Sequence, residues 1–409
     1  MSTHKIIVQK YGGSSVADIG KIKQVALRVA KGRKLGNKMV VVVSALGNTT
    51  DELIKLAHDI TDTPSEREMD MLISTGEQIS VSLLAMALHK LKIEAISFTG
   101  AQVGIITDTS HTKARILDIN TKRIEEELGK GKVVIVAGFQ GVTMKQDITT
   151  LGRGGSNLTA VALAKSLGAD MCEMCTDVEG IYTADPRIVP DARKLSRISY
   201  EEMLELASAG AQVLQPRSIE VAKKFNVKIH VRSSFSDNEG TIISEEVKTM
   251  EDIVVSGVTV NKDEAKVTIC DVPDKPGVAA RIFKKIAEAN INIDMIIQNI
   301  SRTGCTDMSF TVPEKDLKKT LKTARDVAKK IGAGDVQYND NIAKLSVVGI
   351  GMRSHSGIAS RMFAALARNR INIEMISTSE IKISCVINKN SAIKAVRAVH
   401  KEFGLGKSA

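Results

Sequence analysis

A chain of 409 residues with 43% apolar content is too long for one typical core and too apolar to be disordered, so two or three folded domains are expected. Its net charge of +10 comes from lysines and arginines scattered along the chain, and aromatic residues make up 3% with no Trp. This argues against a nucleic-acid binder and suits either a solvated basic surface or a general attraction for anionic substrates. Five cysteines (Cys172, Cys175, Cys270, Cys305, Cys385) have neither disulfide-framework nor zinc spacing. The stretch MSTHKIIVQK lacks a signal-peptide core, and no single apolar run is long enough to cross a bilayer, so a reducing cytoplasmic setting without membrane association is expected.

KIIVQKYGGSS (5–15) reads as a buried strand entering a Gly/Ser loop, with Lys10 just ahead of Gly12, Gly13, Ser14 and Ser15. An amphipathic helix with Ile19, Ile22, Val25 and Val29 on one face follows. The N–H groups of such a loop and helix start suit phosphate oxygens, and Lys10 adds a point charge, although the spelling is not that of a P-loop. MVVVVSALGNTTDEL (39–53) repeats the pattern. Its β-branched run, apolar on both faces, fits a parallel sheet covered by helices, and Ser44, Gly47, Thr49 and Thr50 stand where open α/β sheets bind ligands. A helical segment over 65–90 carries Glu77 at an expected bend, in STGEQIS, where its neighbours leave its role open. Strand signals at 93–99, 133–139, 170–175 and 227–233, separated by helical stretches, predict one doubly wound α/β domain over residues 1–245.

TTLGRGGSNLTAVALAK (149–165) sets Arg153 among glycines directly before an apolar helix. A planar cation beside the N–H groups of a helix start suits a carboxylate or phosphate; the plainer reading is a turn capped by Ser156 or Asn157. TDVEGIYTADPR (176–187) holds Thr176, Asp177, Tyr182, Asp185 and Arg187 in a Gly/Pro-punctuated loop, polar groups around one aromatic ring that fit a nucleotide; the plainer reading is a polar surface loop.

KYGGSS (10–15), VSALGNTTDEL (43–53), TGEQIS (75–80), TLGRGGSN (150–157) and TDVEGIYTADPR (176–187), in this order and spacing, resemble the amino acid kinase family and, within it, the aspartokinases. The resemblance implies an α/β amino acid kinase fold, three-layer αβα with a mainly parallel sheet. It also implies transfer of the ATP γ-phosphoryl group to the side-chain carboxylate of L-aspartate, with Mg²⁺, on the way to lysine, threonine and methionine. By the same resemblance Lys10, Gly12, Gly13 and Ser14 serve the phosphates, while Arg153 and Gly154 meet the α-carboxylate of aspartate. Ser44, Thr50 and Ser156 would orient its other oxygens, Glu77 would face its ammonium, and Thr176, Asp177, Tyr182, Asp185 and Arg187 would hold the nucleotide. No metal site made by the protein alone is expected. Asn157 stands where the family usually has Asp, which puts either ammonium binding or catalytic positioning in question. A catalytically weak amino-acid sensor, and a kinase for another amino acid, are the alternatives.

GVAARIFKKIAEANINIDMI (277–296) aligns without gaps on GIASRMFAALARNRINIEMI (357–376), identical at ten of twenty positions. Each copy follows a strand and a polar turn (DKPG, SHSG) and leads into further strands, a βαββ order that completes to a ferredoxin-like βαββαβ unit. The two units, over 264–340 and 341–409, resemble ACT domains. The second has no fourth strand of its own, so strand 253–260 is expected to complete it. The resemblance implies lysine, threonine or both as effectors. Their ligands would be Asp274, Gly277, Ala279, Asn292, Asp294 and Gln298 in the first unit, and Asn372, Glu374 and Ser379 in the second. A homo-oligomer through the ACT units is expected, with an internal start at Met250 able to yield a separate small subunit.

Overall fold

The computed structural model describes residues 5–211, 213–245, 254–299 and 304–407. They form two compact units: residues 5–181, 194–207 and 213–245 in the first, and 182–193, 208–211, 254–299 and 304–407 in the second. Met250 and the first residue of strand 253–260 lie outside the described residues.

The first unit opens with β1 (Ile6–Tyr11), α1 (Ile19–Lys34), β2 (Lys38–Val43), α2 (Thr49–Ile60), α3 (Glu66–Ile73), α4 (Thr75–Lys90) and β3 (Ala95–Phe98). It continues through β4 (Ile105–Thr107), β5 (Ile116–Ile119), α5 (Lys122–Gly129), β6 (Val133–Ala137), β7 (Gln140–Val142), β8 (Ile148–Thr150) and α6 (Gly155–Ser166). It closes with β9 (Met171–Thr176), β10 (Arg197–Ser199), α7 (Tyr200–Ser208), α8 (Pro216–Phe225), β11 (Ile229–Ser233) and β12 (Thr241–Ser244). The main sheet has the order β10-β12-β11-β9-β1-β2-β6-β3 and is parallel except between β11 and β12.

Its central strands are buried on both faces. Met39, Val41, Val43, Val133 and Ile135 pack with Ile22, Val25, Leu84 and Leu88 of α1 and α4. The alternate residues Val8, Val40, Val42, Val134 and Val136 are equally inaccessible, and α6 covers β1, β2 and β9. A fully buried Val or Leu side chain is worth roughly 1.5–3 kcal/mol, so a strand covered twice reads as a continuous apolar run.

The structure departs from the sequence pattern in four places here. Ile19, at the first position of α1, is exposed, while Ile22, Val25 and Val29 are buried. The segment 65–90 is two helices that meet at Ser74. By length and composition Glu66–Lys90 could cross a membrane, yet α4 is a core helix, with Val81, Leu84 and Leu88 packed against α1 and the sheet. A second, four-stranded sheet, β5-β4-β7-β8, has no clear signal in the sequence, because β4, β7 and β8 are three residues each and β5 four.

The second unit contains β13 (Gly257–Asn261), β14 (Glu264–Pro273), α9 (Val278–Glu288), β15 (Ile296–Gln298), β16 (Cys305–Pro313), α10 (Leu317–Ile331) and β17 (Val336–Asn339). Then come β18 (Ile342–Val348), α11 (Ile358–Arg368), β19 (Met375–Thr378), β20 (Lys382–Asn388) and α12 (Ala392–Glu402). Two four-stranded antiparallel sheets result, β15-β16-β14-β17 and β13-β18-β20-β19. β13 pairs antiparallel with β18 from Gly257↔Val348 to Asn261↔Lys344. The internal repeat is visible in the backbone: Gly277 and Gly357 both cap their helices at φ 87°. Residues 182–193 pack with the second sheet, Ala184, Val189 and Ala192 joining Val258, Leu345 and Val399 in one core.

Candidate active site

β1 is the point from which the main sheet grows in both directions, toward β2 and β6 on one side and β9 and β11 on the other. Loops leaving the carboxyl ends of β1, β2 and β9 therefore converge there, at the switch point where open α/β sheets take their ligands. Ser44 N–H donates to Tyr11 O (3.0 Å) and Gly47 N–H to Gly13 O (3.1 Å), which ties the first two loops together.

Lys10 sits at this junction, and a Cβ on Gly12 would lie 3.2 Å from its Nζ. Burial lowers the Lys10 pKa to about 8, against the opposing pull of neighbours that include Asp177. Gly76 allows α4 to approach the β2 loop, because a Cβ there would stand 2.7 Å from that of Ala45. The next residue, Glu77, accepts a hydrogen bond from Ala45 N–H at 3.1 Å through Oε1. Its buried Oε2 has no hydrogen-bond partner among the described residues. Burial raises its pKa to about 7, offset in part by the Ala45 N–H.

The GRGG loop closes the other side. Helix α6 begins at Gly155 with Gly154 as its cap, so neither Ser156 nor Asn157 caps it. Gly154 has φ 73°, and a Cβ would press on the Gln215 side chain at 2.8 Å, so a larger residue is disfavoured twice. Arg153 has a 94% exposed side chain and a long contact, 3.4 Å, to Asp51.

Lys10, Ser44, Thr50, Glu77, Arg153, Gly154 and Ser156 line one cavity of about 370 Å³. Thr112, Phe139 and Thr150 line it too, residues that the motifs do not single out as contacts. Asn157 is buried in the first turn of α6 but is not among the lining residues. Gly13 and Ser14 form a short 3-10 turn after Gly12.

The sequence candidates for nucleotide contacts divide between the two units. Thr176 ends β9 in the first and Asp177 follows it, the two hydrogen-bonded to each other at 2.9 Å. Tyr182, Asp185 and Arg187 belong to the second, where Asp185 receives Arg187 through Nε (3.0 Å) and Nη2 (2.7 Å).

Among the effector candidates, Gly277 and Ala279 open α9, and Asp274 N–H donates to Gly304 O at 2.9 Å. Asn292, Gln298, Asn372 and Ser379 are exposed. Asp294 and Glu374 are already engaged: Lys344 binds Asp294, and Lys266 binds Glu374 at 2.5 Å. Cys172 and Cys175 are buried free thiols, pushed above the ordinary thiol range by burial, and no nucleophile is offered there.

A parallel sheet that presents a cation and backbone N–H groups at its switch point, beside a small polar cavity, can hold a phosphoryl donor against a small acceptor. Comparison with known proteins agrees with that class. The model of the amino acid kinase family matches residues 5–233, and the ACT domain model matches residues 271–327 and 345–403. An aspartate kinase of Pseudomonas putida is 52% identical over 98% of this chain and 98% of its own length. The crystal structure of an aspartate kinase from Synechocystis is 44% identical, with a TM-score of 0.56, and covers 99% of this chain and 70% of its own. The T-state structure of E. coli aspartokinase III, in complex with lysine and aspartate, is 25% identical with a TM-score of 0.75, over 97% of this chain and 99% of its own. The chain belongs to the amino acid kinase family and, within it, to the aspartokinases.

Proposed function

We propose that the cavity between the β1, β2 and GRGG loops carries out the aspartokinase reaction, in which the γ-phosphoryl group of ATP passes to the side-chain carboxylate of L-aspartate. What carries this reading is the meeting of Lys10, Glu77 and Arg153 around one cavity sized for a small substrate. The acceptor carboxylate is ionised at pH 7, so no general base is required, and catalysis reduces to alignment and charge neutralisation. Lys10 and the N–H groups of Gly12, Gly13 and Ser14 offset the charge on the transferring group. Arg153 takes the α-carboxylate, Glu77 the ammonium, and Ser44, Thr50 and Ser156 the remaining oxygens. The unpaired Oε2 of Glu77 is the kind of acceptor an incoming ammonium would satisfy. Thr176 and Asp177, at the carboxyl end of β9, face the nucleotide.

Mg²⁺ enters with ATP in this reading. Such an ion is held mostly by phosphate oxygens and water, with few protein ligands. When bound, that ion neutralises phosphate charge.

The ACT units serve feedback by lysine, threonine or both, with Asp274, Gly277, Ala279, Asn292 and Gln298 of the first unit and Asn372 and Ser379 of the second around the effector. Asp294 and Glu374 can join only by exchanging their lysine partners. The edge strands β15 and β19 expose Ile296 and Ile376 at matching repeat positions, a surface suited to pairing with a second chain in a homo-oligomer. We place the enzyme in the cytoplasm, with Met250 as the start of a separately made regulatory subunit.

Steady-state kinetics test the site. Arg153→Ala should raise the KM for aspartate at least tenfold, since a charge-assisted pair is worth roughly 1.5–3 kcal/mol. Lys10→Ala should act mainly on kcat. Wild-type constants in both variants would refute the assignment.

A further inference from the structure

We infer that Asp70, on α3 and outside the substrate cavity, is a positioning residue that sets the geometry of the GRGG loop and thereby the affinity for aspartate. This rests on the reading of the cavity as the aspartate site.

Asp70 is fully inaccessible to solvent. Its carboxylate collects donors from two other segments of the first unit. Thr150 Oγ1 donates to Oδ1 at 2.5 Å, and Thr112 N–H lies 3.1 Å from Oδ1 and 3.0 Å from Oδ2. The His111 ring donates through Nδ1 to Oδ2 at 2.8 Å. Thr150 is the last residue of β8 and lies two positions ahead of Gly152. Gly152 in turn rests on the segment Asp70 holds from the other side, since a Cβ there would meet Thr112 O at 3.2 Å.

Thr112 has φ 62°, a left-handed conformation uncommon for a threonine. Such a conformation persists only where surrounding bonds over-determine it, and Asp70 supplies one to its N–H. Arg217 reinforces the arrangement, donating to Leu151 O at 2.9 Å and Ala114 O at 3.1 Å, while Ala114 N–H donates to Thr150 O at 2.9 Å. Thr112, Thr150, Gly152 and Arg153 all line the cavity, whereas Asp70 does not. Asp70 therefore acts through them.

The chemistry requires a carboxylate. Three donors converge, and only an acceptor-only group receives all of them; an asparagine would turn an NH₂ toward one. If Asp70 served stability alone, its loss would not separate one substrate from the other. Since it holds the side of the cavity bearing Arg153, its loss should fall on aspartate.

The experiment uses the full chain, with coupled ADP release measured against each substrate. Asp70→Asn should raise the KM for aspartate tenfold or more while the KM for ATP stays within twofold. Thr150→Val should do likewise, and the double variant should be no worse than the worse single one, because both cut the same link. His111→Gln, which keeps a donor, should stay near wild type, and His111→Phe should raise the KM for aspartate. This pair decides the matter if Asp70→Asn fails to fold. Effects of Asp70→Asn and Thr150→Val that multiply, equal changes in both KM values, or identical constants for the two His111 variants would overturn the inference. Arg153→Ala run alongside separates the failures: if it too leaves the KM for aspartate unchanged, the reading of the site is what has failed.

Discussion

Glu77 and Lys10 carry the two perturbed ionisations of the cavity, and they predict opposite pH limbs. In the proposed site Glu77 must be charged to meet an ammonium, and burial raises its pKa to about 7. The value of kcat/KM for aspartate should therefore rise up to tenfold per pH unit below 7 and level off above it. Lys10, at about 8, should give kcat/KM for ATP a falling limb above that pH. The same shift has a stability consequence. A carboxyl whose folded pKa lies above its ordinary 4.5 contributes stability below that value and loses it as pH rises through about 7. Glu77→Gln should then raise the unfolding free energy at pH 8, by up to about 3 kcal/mol, while abolishing most aspartate turnover. A variant that is no more stable than wild type at pH 8 would contradict the shift. Lys10 and Arg153, which line the cavity, were legible because each sits in a short motif with a local chemical meaning, whereas the neighbours of Glu77 leave its role open and only the family resemblance points to it. Asp70 was not legible: it meets Thr112 and Thr150 across 42 and 80 residues, and an aspartate in EREMDML looks like any helical acid.

At the scale of elements, β1, β2, β6 and β9 were legible because strands covered on both faces must be apolar throughout. The strands of the second sheet are too short for periodicity to declare them, and the break between α3 and α4 at Ser74 has no Pro to mark it. The repeat announced the two ACT units, and the structure adds an exchange of charges between them. Lys344 on β18 is buried with Glu264 of β14 at 2.7 Å and also binds Asp294, while Lys266 on β14 binds Glu374. Removing Lys344 would strand the buried Glu264 carboxylate. Lys344→Met should cost about 3–5 kcal/mol in chemical unfolding, and adding Glu264→Leu should recover most of it. A loss under about 1 kcal/mol for the single variant would show that this cluster is not what holds the units together.

At the scale of the whole molecule, the chain order of kinase motifs and repeat defined an α/β kinase carrying ACT domains. Sequence order hid the contribution of residues 182–193, which lie among the kinase motifs yet pack with the second sheet of the ACT unit. Feedback should follow from this architecture: lysine, threonine or the two together should lower activity at subsaturating aspartate, and insensitivity to every combination would remove effector binding from the account. The most direct test of the central claim is ADP release by the purified full-length chain with ATP, Mg²⁺ and one acceptor at a time. The account predicts turnover with L-aspartate, and a rate with L-glutamate close to that without acceptor. Equal turnover with L-glutamate, or none above background with L-aspartate, would contradict it.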